Sequence, residues 1–371
     1  MTNPTVVLKR DSTVLDTLLL TTTDTTIVDT GLYPSHTYTY TATLLNSSTA
    51  QVQARTMDTS SNSFSFTTTL LGDGTSSSTL YDVAIINDTL AYAVGEIYRN
   101  DTSFNVAKWD GRTWQLMRIM FDYQGSESFS YLNSILAFDS NDIWFEGGIH
   151  WDGNKFNSSP MNISFPSHVN KMWGTSSSDI YAVGNSGLIA HYDGSSWTKI
   201  ASGTSLDFHD IYGTTNTSNG TTEILAVAGN PLISKERKIV SLSGNTATAL
   251  SDHGIDWALL SVWFVPSKLY WVVGDGMYEK QPCLGSSTWT RNDATGYTTY
   301  KVRGNGVNDV FACGAYGEMI HYNGISWKSY MTQTYLFYGM FWSLAVTNTI
   351  VIAVGENNQQ AVVYIGKCPT P

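Results

Sequence analysis

The chain of 371 residues has little charge and no long apolar run. Charged residues make up 14% of it, against about 25% in an average soluble domain. Acidic residues outnumber basic ones by 31 to 20, and the net charge of −11 argues against nucleic acid or an anionic membrane as a partner. No run approaches the roughly 18 apolar residues of a membrane span, so membrane insertion is not expected.

Sulfur chemistry and catalytic motifs are also sparse. Three cysteines cannot all pair within the chain. Cys313 stands where Val94 and Val183 stand in related segments, so it is expected to fill an apolar core position. Cys283 and Cys368 lie in irregular segments, and whether they pair is left open. No metal-ligand spacing, nucleophile elbow or phosphate-binding glycine loop occurs, so we predict no catalytic residue, metal or cofactor.

What the sequence does contain is a repeated unit. Four similar stretches, most of them Ala-Val-Gly, end in glycine at positions 92–95, 181–184, 311–314 and 352–355. Most are followed by an aromatic residue and then Asp-Gly or Asn-Gly. Recurrence of this kind indicates a repeat architecture.

The Asp-Gly and Asn-Gly pairs predict hairpins. They stand between alternating apolar runs at 110–111, 152–153, 193–194 and 323–324. Type I′ turns need a positive φ at both central residues, which these pairs tolerate. With the apolar run upstream of each repeat glycine, one unit becomes four short antiparallel strands, which is one blade of a β-propeller.

The glycine that ends the second strand sets the number of units. It recurs at Gly95, Gly147, Gly184, Gly229, Gly274, Gly314 and Gly355, near the spacing of known propeller repeats. The sequence therefore predicts an all-β fold with a seven-bladed β-propeller. Six blades stay open, because the units at Gly229 and Gly274 lack the Asp-Gly turn.

The propeller is expected to span residues 58–371 and to close with a strand from its own N-terminal end. The last unit has three strands and stops near residue 366, whereas 63–70 alternates like a strand. We expect 63–70 to supply the outer strand of the last blade. Such closure removes exposed sheet edges.

Residues 1–57 are predicted to be a separate small β domain. Segment 29–40, which contains Tyr38, resembles the tyrosine corner of a fibronectin type III sandwich, in which a Tyr hydroxyl returns to nearby backbone. A full sandwich needs about seven strands, and this segment supplies about four or five, so we expect an incomplete one. An incomplete sandwich could self-assemble by strand exchange between chains.

The chain also resembles a family of secreted bacterial proteins. The resemblance rests on residues 56–60, 80–86, 93–98 and 109–111, and covers most of residues 29–365. In this family a fibronectin III-like segment precedes a propeller of Asp-box-like, or sialidase-like, repeats. The resemblance implies an extracellular or cell-surface location and no assigned activity. Here Asp and Gly are adjacent, unlike in the sialidase Asp box.

The loops of one propeller face are the candidate binding surface. These loops join the second strand to the third and one blade to the next, and in this chain they are the longest and most aromatic. Exposed aromatic rings suit sugar faces or protein partners, and the residue after three of the repeat glycines adds a carboxylate to the same face. The candidate binding residues are Glu96, Tyr98, Tyr123, Trp257, Asp275, Tyr297, Phe337 and Glu356.

Glu146 is a candidate perturbed carboxylate. It occupies a position that holds valine in related units, at Val94 and Val183. A buried carboxylate must find a partner or shift its pKa upward. A functional acid and local hydrogen bonding to a backbone amide are both open.

These features predict a non-catalytic extracellular or cell-surface module that binds a glycan or a protein through the loop-rich propeller face. One alternative is a glycan-active hydrolase or lyase that uses Glu96, Asp275 and Glu356. A second alternative is a subunit of a surface filament that assembles through residues 1–57.

Overall fold

The computed structural model describes residues 4–22, 25–45, 48–123, 126–158, 168–216, 220–231, 233 and 235–368, with only the backbone described at positions 122, 123, 158 and 283. Within these ranges the chain consists of β-strands, one four-residue α-helix and two short 3-10 turns. The predicted all-β class is confirmed. No helix in the same ranges is long and apolar enough to cross a membrane.

The N-terminal residues form one antiparallel sheet in the order β2-β1-β3-β4. Its strands are β1 Thr5–Arg10, β2 Thr13–Leu19, β3 Thr37–Leu44 and β4 Thr49–Arg55. The described part of residues 4–57 contains no second sheet. The structure thus shows a single layer here, and the fibronectin III-like sandwich stays a prediction.

Tyr38 holds this sheet to the segment that precedes β3. Its ring is buried, and its hydroxyl accepts a hydrogen bond from the backbone N–H of Tyr33 at 2.8 Å. This is the return to upstream backbone that a tyrosine corner makes.

The described residues between 65 and 367 form seven four-stranded antiparallel sheets. The first strand in chain order is β5 Ser65–Leu71. Sheet 1 follows with β6 Thr79–Asn87, β7 Leu90–Arg99, β8 Thr102–Trp109 and β9 Trp114–Met117. A two-stranded hairpin comes next, with β10 Phe121–Tyr123 and β11 Ser126–Ser128. Sheet 2 has β12 Ile135–Asp139, β13 Asp142–Phe145, β14 Ile149–Trp151 and β15 Phe156–Ser158, and sheet 3 has β16 Val169–Ser176, β17 Asp179–Gly184, β18 Leu188–Tyr192 and β19 Trp197–Lys199.

Sheets 4 to 7 repeat this four-stranded pattern. Sheet 4 has β20 Phe208–Thr215, β21 Thr222–Gly229, β22 Arg237–Ser243 and β23 Thr246–Leu250, and sheet 5 has β24 Leu259–Val265, β25 Leu269–Gly274, β26 Gly276–Lys280 and β27 Thr290–Asn292. Sheet 6 has β28 Thr299–Gly306, β29 Asp309–Gly314, β30 Met319–Tyr322 and β31 Trp327–Ser329, followed by helix α1 Met331–Thr334. Sheet 7 has β32 Met340–Val346, β33 Ile350–Asn357 and β34 Gln360–Lys367, with β5 as its fourth strand.

The sheets are arranged in a closed ring. The first strand of each sheet packs against the first strand of the next, and β32 of sheet 7 packs against β6 of sheet 1. β5 pairs antiparallel with β34, with Ser65 opposite Lys367 and Leu71 opposite Ala361. The N-terminal end of the ring therefore provides the outer strand of sheet 7, the position for which the sequence analysis proposes residues 63–70.

The repeat glycine marks a close approach between two backbones. A Cβ at Gly274 would lie 2.0 Å from the carbonyl oxygen of Ala258, and a Cβ at Gly184 would lie 2.0 Å from that of His168. The end of the second strand thus lies against the backbone that leads into the first strand. Glycine recurs because there is no room for a side chain.

The Asp-Gly hairpins are present, but the predicted type I′ turn is wrong. The first loop spans residues 110–113, and Gly111 has a φ of +91° whereas Asp110 has no positive φ. The Asp110 carboxylate accepts hydrogen bonds from the backbone N–H groups of Arg112 and Thr113 at 2.9 and 2.8 Å. The side chain closes the turn, so a second positive φ is not needed. The same capping occurs at Asp152, Asp193 and Asn323.

One half of the ring meets at the carboxylate of Asp82, which is buried. Lys171 of sheet 3 places its Nζ 2.5 Å from Asp82 Oδ2, and Ser343 of sheet 7 donates its hydroxyl to Asp82 Oδ1 at 2.8 Å. The backbone N–H of Ile135 in sheet 2 donates to the same carboxylate at 3.0 Å. Sheets that are not neighbours in the ring can touch only across its axis, so this cluster lies on the axis.

Asp210 gathers the other half of the ring and is also fully buried. Arg303 of sheet 6 holds both its oxygens at 2.7 Å, and Lys301 lies 3.1 Å from Oδ1. Ser261 of sheet 5 donates its hydroxyl to Oδ2 at 2.5 Å. Burial alone would raise the pKa of Asp210, but the nearby Arg303 and Lys301 outweigh it and hold that pKa well below its usual range. We call the Asp82 and Asp210 clusters together the axial network.

Gly274→Ala is expected to lower the free energy of unfolding by about 3 kcal/mol, because the new Cβ must displace the Ala258 carbonyl. Chemical denaturation measures the loss. The matched control is Gly296→Ala, since a Cβ there meets no atom within 4 Å, and it should change stability by less than about 0.5 kcal/mol. Equal effects of the two substitutions would contradict the close-approach account.

Asp210→Asn is expected to cost about 3–5 kcal/mol at pH 7, because it leaves two buried cations without a counter-charge. Folding lowers the pKa of Asp210, so its contribution is present above the unfolded-state value of about 3.9 and is lost as pH falls below it. The difference from the wild type should therefore shrink between about pH 4 and pH 2. Asp16→Asn, at an exposed position in β2, is the control in the same denaturation series, and a pH-independent difference for Asp210→Asn would disprove the charge assignment.

Candidate functional site

Two sets of loops meet on one side of the ring, which we call the loop face. One set joins the second strand of a sheet to the third, and the other joins consecutive sheets. In sheets 6 and 7 the two sets are hydrogen-bonded to each other, with Tyr316 N–H donating to Gly339 O and Leu336 N–H donating to Tyr316 O, both at 2.9 Å. These contacts make a continuous surface from separate loops.

Five exposed aromatic residues, which we call the aromatic surface, lie on these joined loops: Tyr297, Tyr316, Tyr335, Phe337 and Tyr338. Their side chains are between 46% and 73% exposed. The rings of Tyr297 and Tyr316 lie 5.0 Å apart, and those of Phe337 and Tyr338 lie 4.5 Å apart with an interplanar angle of 85°. The predicted candidates Tyr297 and Phe337 both belong to this surface.

Glu318 lies beneath the aromatic surface and ties two of its loops together. The residue is buried, and its Oε1 accepts a hydrogen bond from the backbone N–H of Gly296 at 2.9 Å. Burial raises the pKa of Glu318 to about 7, although hydrogen bonds from Gly296 and Thr299 oppose the rise. The loop that carries Tyr297 is thus held by a group that changes charge near neutral pH.

The three predicted carboxylates lie around the end of the axis on the loop face. Glu356 accepts a hydrogen bond from the Thr79 hydroxyl at 2.6 Å, and Thr79 lies opposite Glu96 in sheet 1. Glu96 and Glu356 are therefore both neighbours of Thr79. Asp275 accepts a hydrogen bond from the Thr298 hydroxyl at 2.7 Å, in the loop that carries part of the aromatic surface.

Two tyrosines lie near these carboxylates. Burial raises the pKa of Tyr81, and the charges of Glu96 and Glu356 add to the rise. Burial also raises the pKa of Tyr300, and Asp275 and Glu356 add to it. Tyr81 and Tyr300 therefore lie within electrostatic reach of the three carboxylates.

The other predicted residues lie apart from the aromatic surface. The Tyr98 hydroxyl donates to Glu96, and this hydrogen bond raises the pKa of Tyr98. Trp257 is 39% exposed in the loop between sheets 4 and 5. The side chain of Tyr123 in β10 lies outside the described part of the chain, so its role stays a prediction.

Glu146 joins sheet 2 to sheet 3. Its carboxylate accepts hydrogen bonds from the backbone N–H groups of Asn133 at 2.8 Å and Val169 at 3.1 Å. Burial raises the pKa of Glu146, while these amides and His168 oppose the rise. The second strand ends before this residue, and Gly147 lies in a 3-10 turn with a φ of +81° instead of ending a strand. The amide contacts are those of a structural acceptor.

Comparison with known proteins rests on structure alone, since no protein-family model and no curated protein matches the sequence. The structure of YCF48 bound to D1 peptide matches with a TM-score of 0.58 at 15% identity, over 82% of this chain and 97% of that chain. The propeller domain of Doa1 matches with a TM-score of 0.57 at 13% identity, over 82% and 97%. YCF48 from Cyanidioschyzon merolae gives 0.54 at 13% identity, over 80% and 98%.

The fold is a β-propeller. The predicted propeller is confirmed, and identity at this level shows the fold only. Among the described residues of the propeller and its N-terminal sheet, no group of three or more His, Cys, Asp or Glu side chains could hold a metal ion. Cys313 is fully buried in the core of sheet 6. The Cys283 side chain is not described, so its pairing with Cys368 stays a prediction.

Several important residues of the propeller were missed by the sequence analysis. Tyr316 and Glu318 lie in a four-residue loop whose Gly-x-x-Gly pattern recurs at 184–187, with Ser and Leu at the corresponding positions. The axial network was missed because the repeats were aligned on the glycine of the second strand. Alignment on the first strand places Asp82, Lys171 and Asp210 at one position, and a charge recurring inside an apolar strand is the signal that could have found it.

Glu318→Gln is expected to stabilise the propeller at pH 8 by about 2 kcal/mol relative to the wild type. The pKa of Glu318 is raised by folding to about 7, so the wild type loses stability as pH rises above the unfolded value of about 4.3, and glutamine keeps the acceptor without the charge. Near pH 5 the two proteins should differ much less. Urea denaturation at both pH values tests this, with exposed Glu127→Gln as the control, and an equal difference at both pH values would refute it.

Proposed function

We propose that this chain is a non-catalytic binding module that recognises a protein partner through the aromatic surface. Tyrosine and phenylalanine side chains offer large contact areas and lose little rotamer entropy on binding. Such residues are enriched at the centres of protein interfaces. The sequence predicts either a glycan or a protein as the ligand, and this proposal selects a protein. Glycan recognition by the same aromatic side chains is the alternative.

The single observation that carries the proposal is the clustering of exposed rings on joined loops. Phe337 and Tyr338 are 60% and 73% exposed, although both side chains are large and aromatic. Exposed apolar patches on soluble proteins mark interaction sites when they are contiguous. Backbone hydrogen bonds at Tyr316 and Leu336 fix the loops, so the rings are presented by a rigid base.

The structural comparison supports the same function by analogy. One of the similar propellers, YCF48, is seen bound to a peptide of D1. A propeller of this size therefore accommodates a peptide ligand, although fold by itself does not assign function.

The finer parts of the proposal concern blade count, location and assembly. We infer that the seven sheets are seven blades, supported by the closed sequence of contacts between first strands. We also propose an extracellular or cell-surface location, which the low charge content and the family resemblance support. Self-assembly through residues 1–57 is supported by β4, an edge strand whose residues are all exposed.

Selection of a phage-displayed random peptide library tests the function. We expect peptides that bind the wild type and lose at least about tenfold in affinity to the triple variant Tyr335→Ala, Phe337→Ala and Tyr338→Ala. The control is Ile325→Ala, an exposed apolar residue in a turn on the opposite face. Peptides that bind wild type and triple variant equally, or a library that yields none, would count against the proposal.

A further inference from the structure

We infer that the partner segment recognised by the aromatic surface is positively charged, with Lys or Arg side chains that lie over the rings and reach Asp275 and Glu356. This inference rests on the proposed function and names the chemistry of the partner.

The first support is the charge of the loops. The loop segments that form and border the surface are 293–298, 315–318, 330–339 and 356–359, together with residue 275. They contain four carboxylates and no Lys or Arg. These carboxylates belong to Asp275, Asp293, Glu318 and Glu356. A surface of one charge sign selects partners of the opposite sign.

Two of these carboxylates are free to act on a partner. Asp293 is paired with Arg291 at 3.0 Å, and Glu318 is buried beneath the loops. Asp275 and Glu356 form no ion pair with any described Lys, Arg or His. Each accepts a hydrogen bond from a threonine hydroxyl, which fixes its position without neutralising it.

These two carboxylates border the rings. Asp275 is held by Thr298, the neighbour of Tyr297 in the chain. The backbone of Glu356 lies against Gly339, the neighbour of Tyr338. A cation placed over the aromatic surface would therefore lie near Asp275 on the side of Tyr297 and near Glu356 on the side of Tyr338.

The rings are oriented to receive a cation. Phe337 and Tyr338 meet edge to face at 85°, and Tyr335 and Phe337 meet at 77°. Edge-to-face contact leaves ring faces open, and a ring face attracts Lys or Arg. The cation–π contacts within the described part of the chain use other rings, so the cations of this protein leave the aromatic surface unoccupied.

Three fluorescein-labelled peptides test the inference by anisotropy: (Lys-Ala)4, (Ser-Ala)4 and (Glu-Ala)4. The lysine peptide should bind at least about tenfold more tightly than the other two. Its affinity should fall as salt is raised from roughly 50 to 300 mM, because the Debye screening length shortens over this range. The double variant Asp275→Asn and Glu356→Gln should weaken its binding about tenfold, because both substitutions remove charge and keep the acceptor oxygen. The aromatic triple variant should weaken it about thirtyfold.

The controls are Glu127→Gln, an exposed carboxylate elsewhere on the loop face, and Ile325→Ala on the opposite face; both should bind like the wild type. Equal binding of all three peptides, or lysine-peptide binding that survives both sets of substitutions, would overturn the inference. The inference would also be overturned if a chito-oligosaccharide bound the wild type, bound the aromatic triple variant more weakly, and bound the charge double variant as tightly as the wild type.

The outcomes separate this inference from the proposed function. Library peptides that need the aromatic surface but are neutral or acidic would overturn the charge inference and leave protein recognition standing. If none of the library peptides and none of the three labelled peptides bound, both the charge inference and the proposed function would be overturned.

Discussion

Two buried aspartates connect all seven sheets of the ring. Asp82 receives groups from sheets 2, 3 and 7, and Asp210 receives groups from sheets 5 and 6. Each carboxylate would be strongly destabilising if it were buried alone, so it requires the cations of a sheet two places along the ring, Lys171 of sheet 3 for Asp82 and Arg303 of sheet 6 for Asp210. An arrangement that separated sheet 1 from sheet 3, or sheet 4 from sheet 6, would leave these charges unpaired. The network therefore fixes how sheets 1 to 3 and sheets 4 to 6 are placed around the axis.

The axial network also bears on the position of the proposed site. Side chains of Lys171, Arg303 and the two aspartates are paired on the axis, whereas the aromatic surface lies with Asp275 and Glu356 on the loop face. In the proposed function, the sheets supply a rigid base and the loops supply the binding chemistry. This division is common in folds that serve many functions.

Much of the fold could be predicted because the repeat makes local signals agree. The recurring glycines and Asp-Gly pairs identified the strands and hairpins, since each records a backbone constraint in the sequence. The predicted turn type was wrong because the Asp110 carboxylate accepts backbone hydrogen bonds that a propensity rule does not include. Gly147 was misassigned because Glu146 draws two backbone amides to itself and ends the strand early.

The candidate site could be predicted only in part. Aromatic loops were recognisable as a class, and Tyr297 and Phe337 do lie on the shared surface. The grouping of Tyr316 with them depends on hydrogen bonds between loops that are distant in sequence. Glu96 and Glu356 come together because the two ends of the ring meet, as predicted, whereas the hydrogen bond between Thr79 and Glu356 depends on side-chain positions that the repeat pattern does not record.

The fourth strand of the last sheet comes from the beginning of the ring, and this has a consequence during biosynthesis. Strand β5 leaves the ribosome long before β34, its only partner in sheet 7. Until β34 has been synthesised, β5 is an unpaired edge and the first sheet lacks one neighbour. Such edges favour association between nascent chains. The ring architecture thus delays protection of its earliest strand until the last strands of the ring have been made and its two ends join.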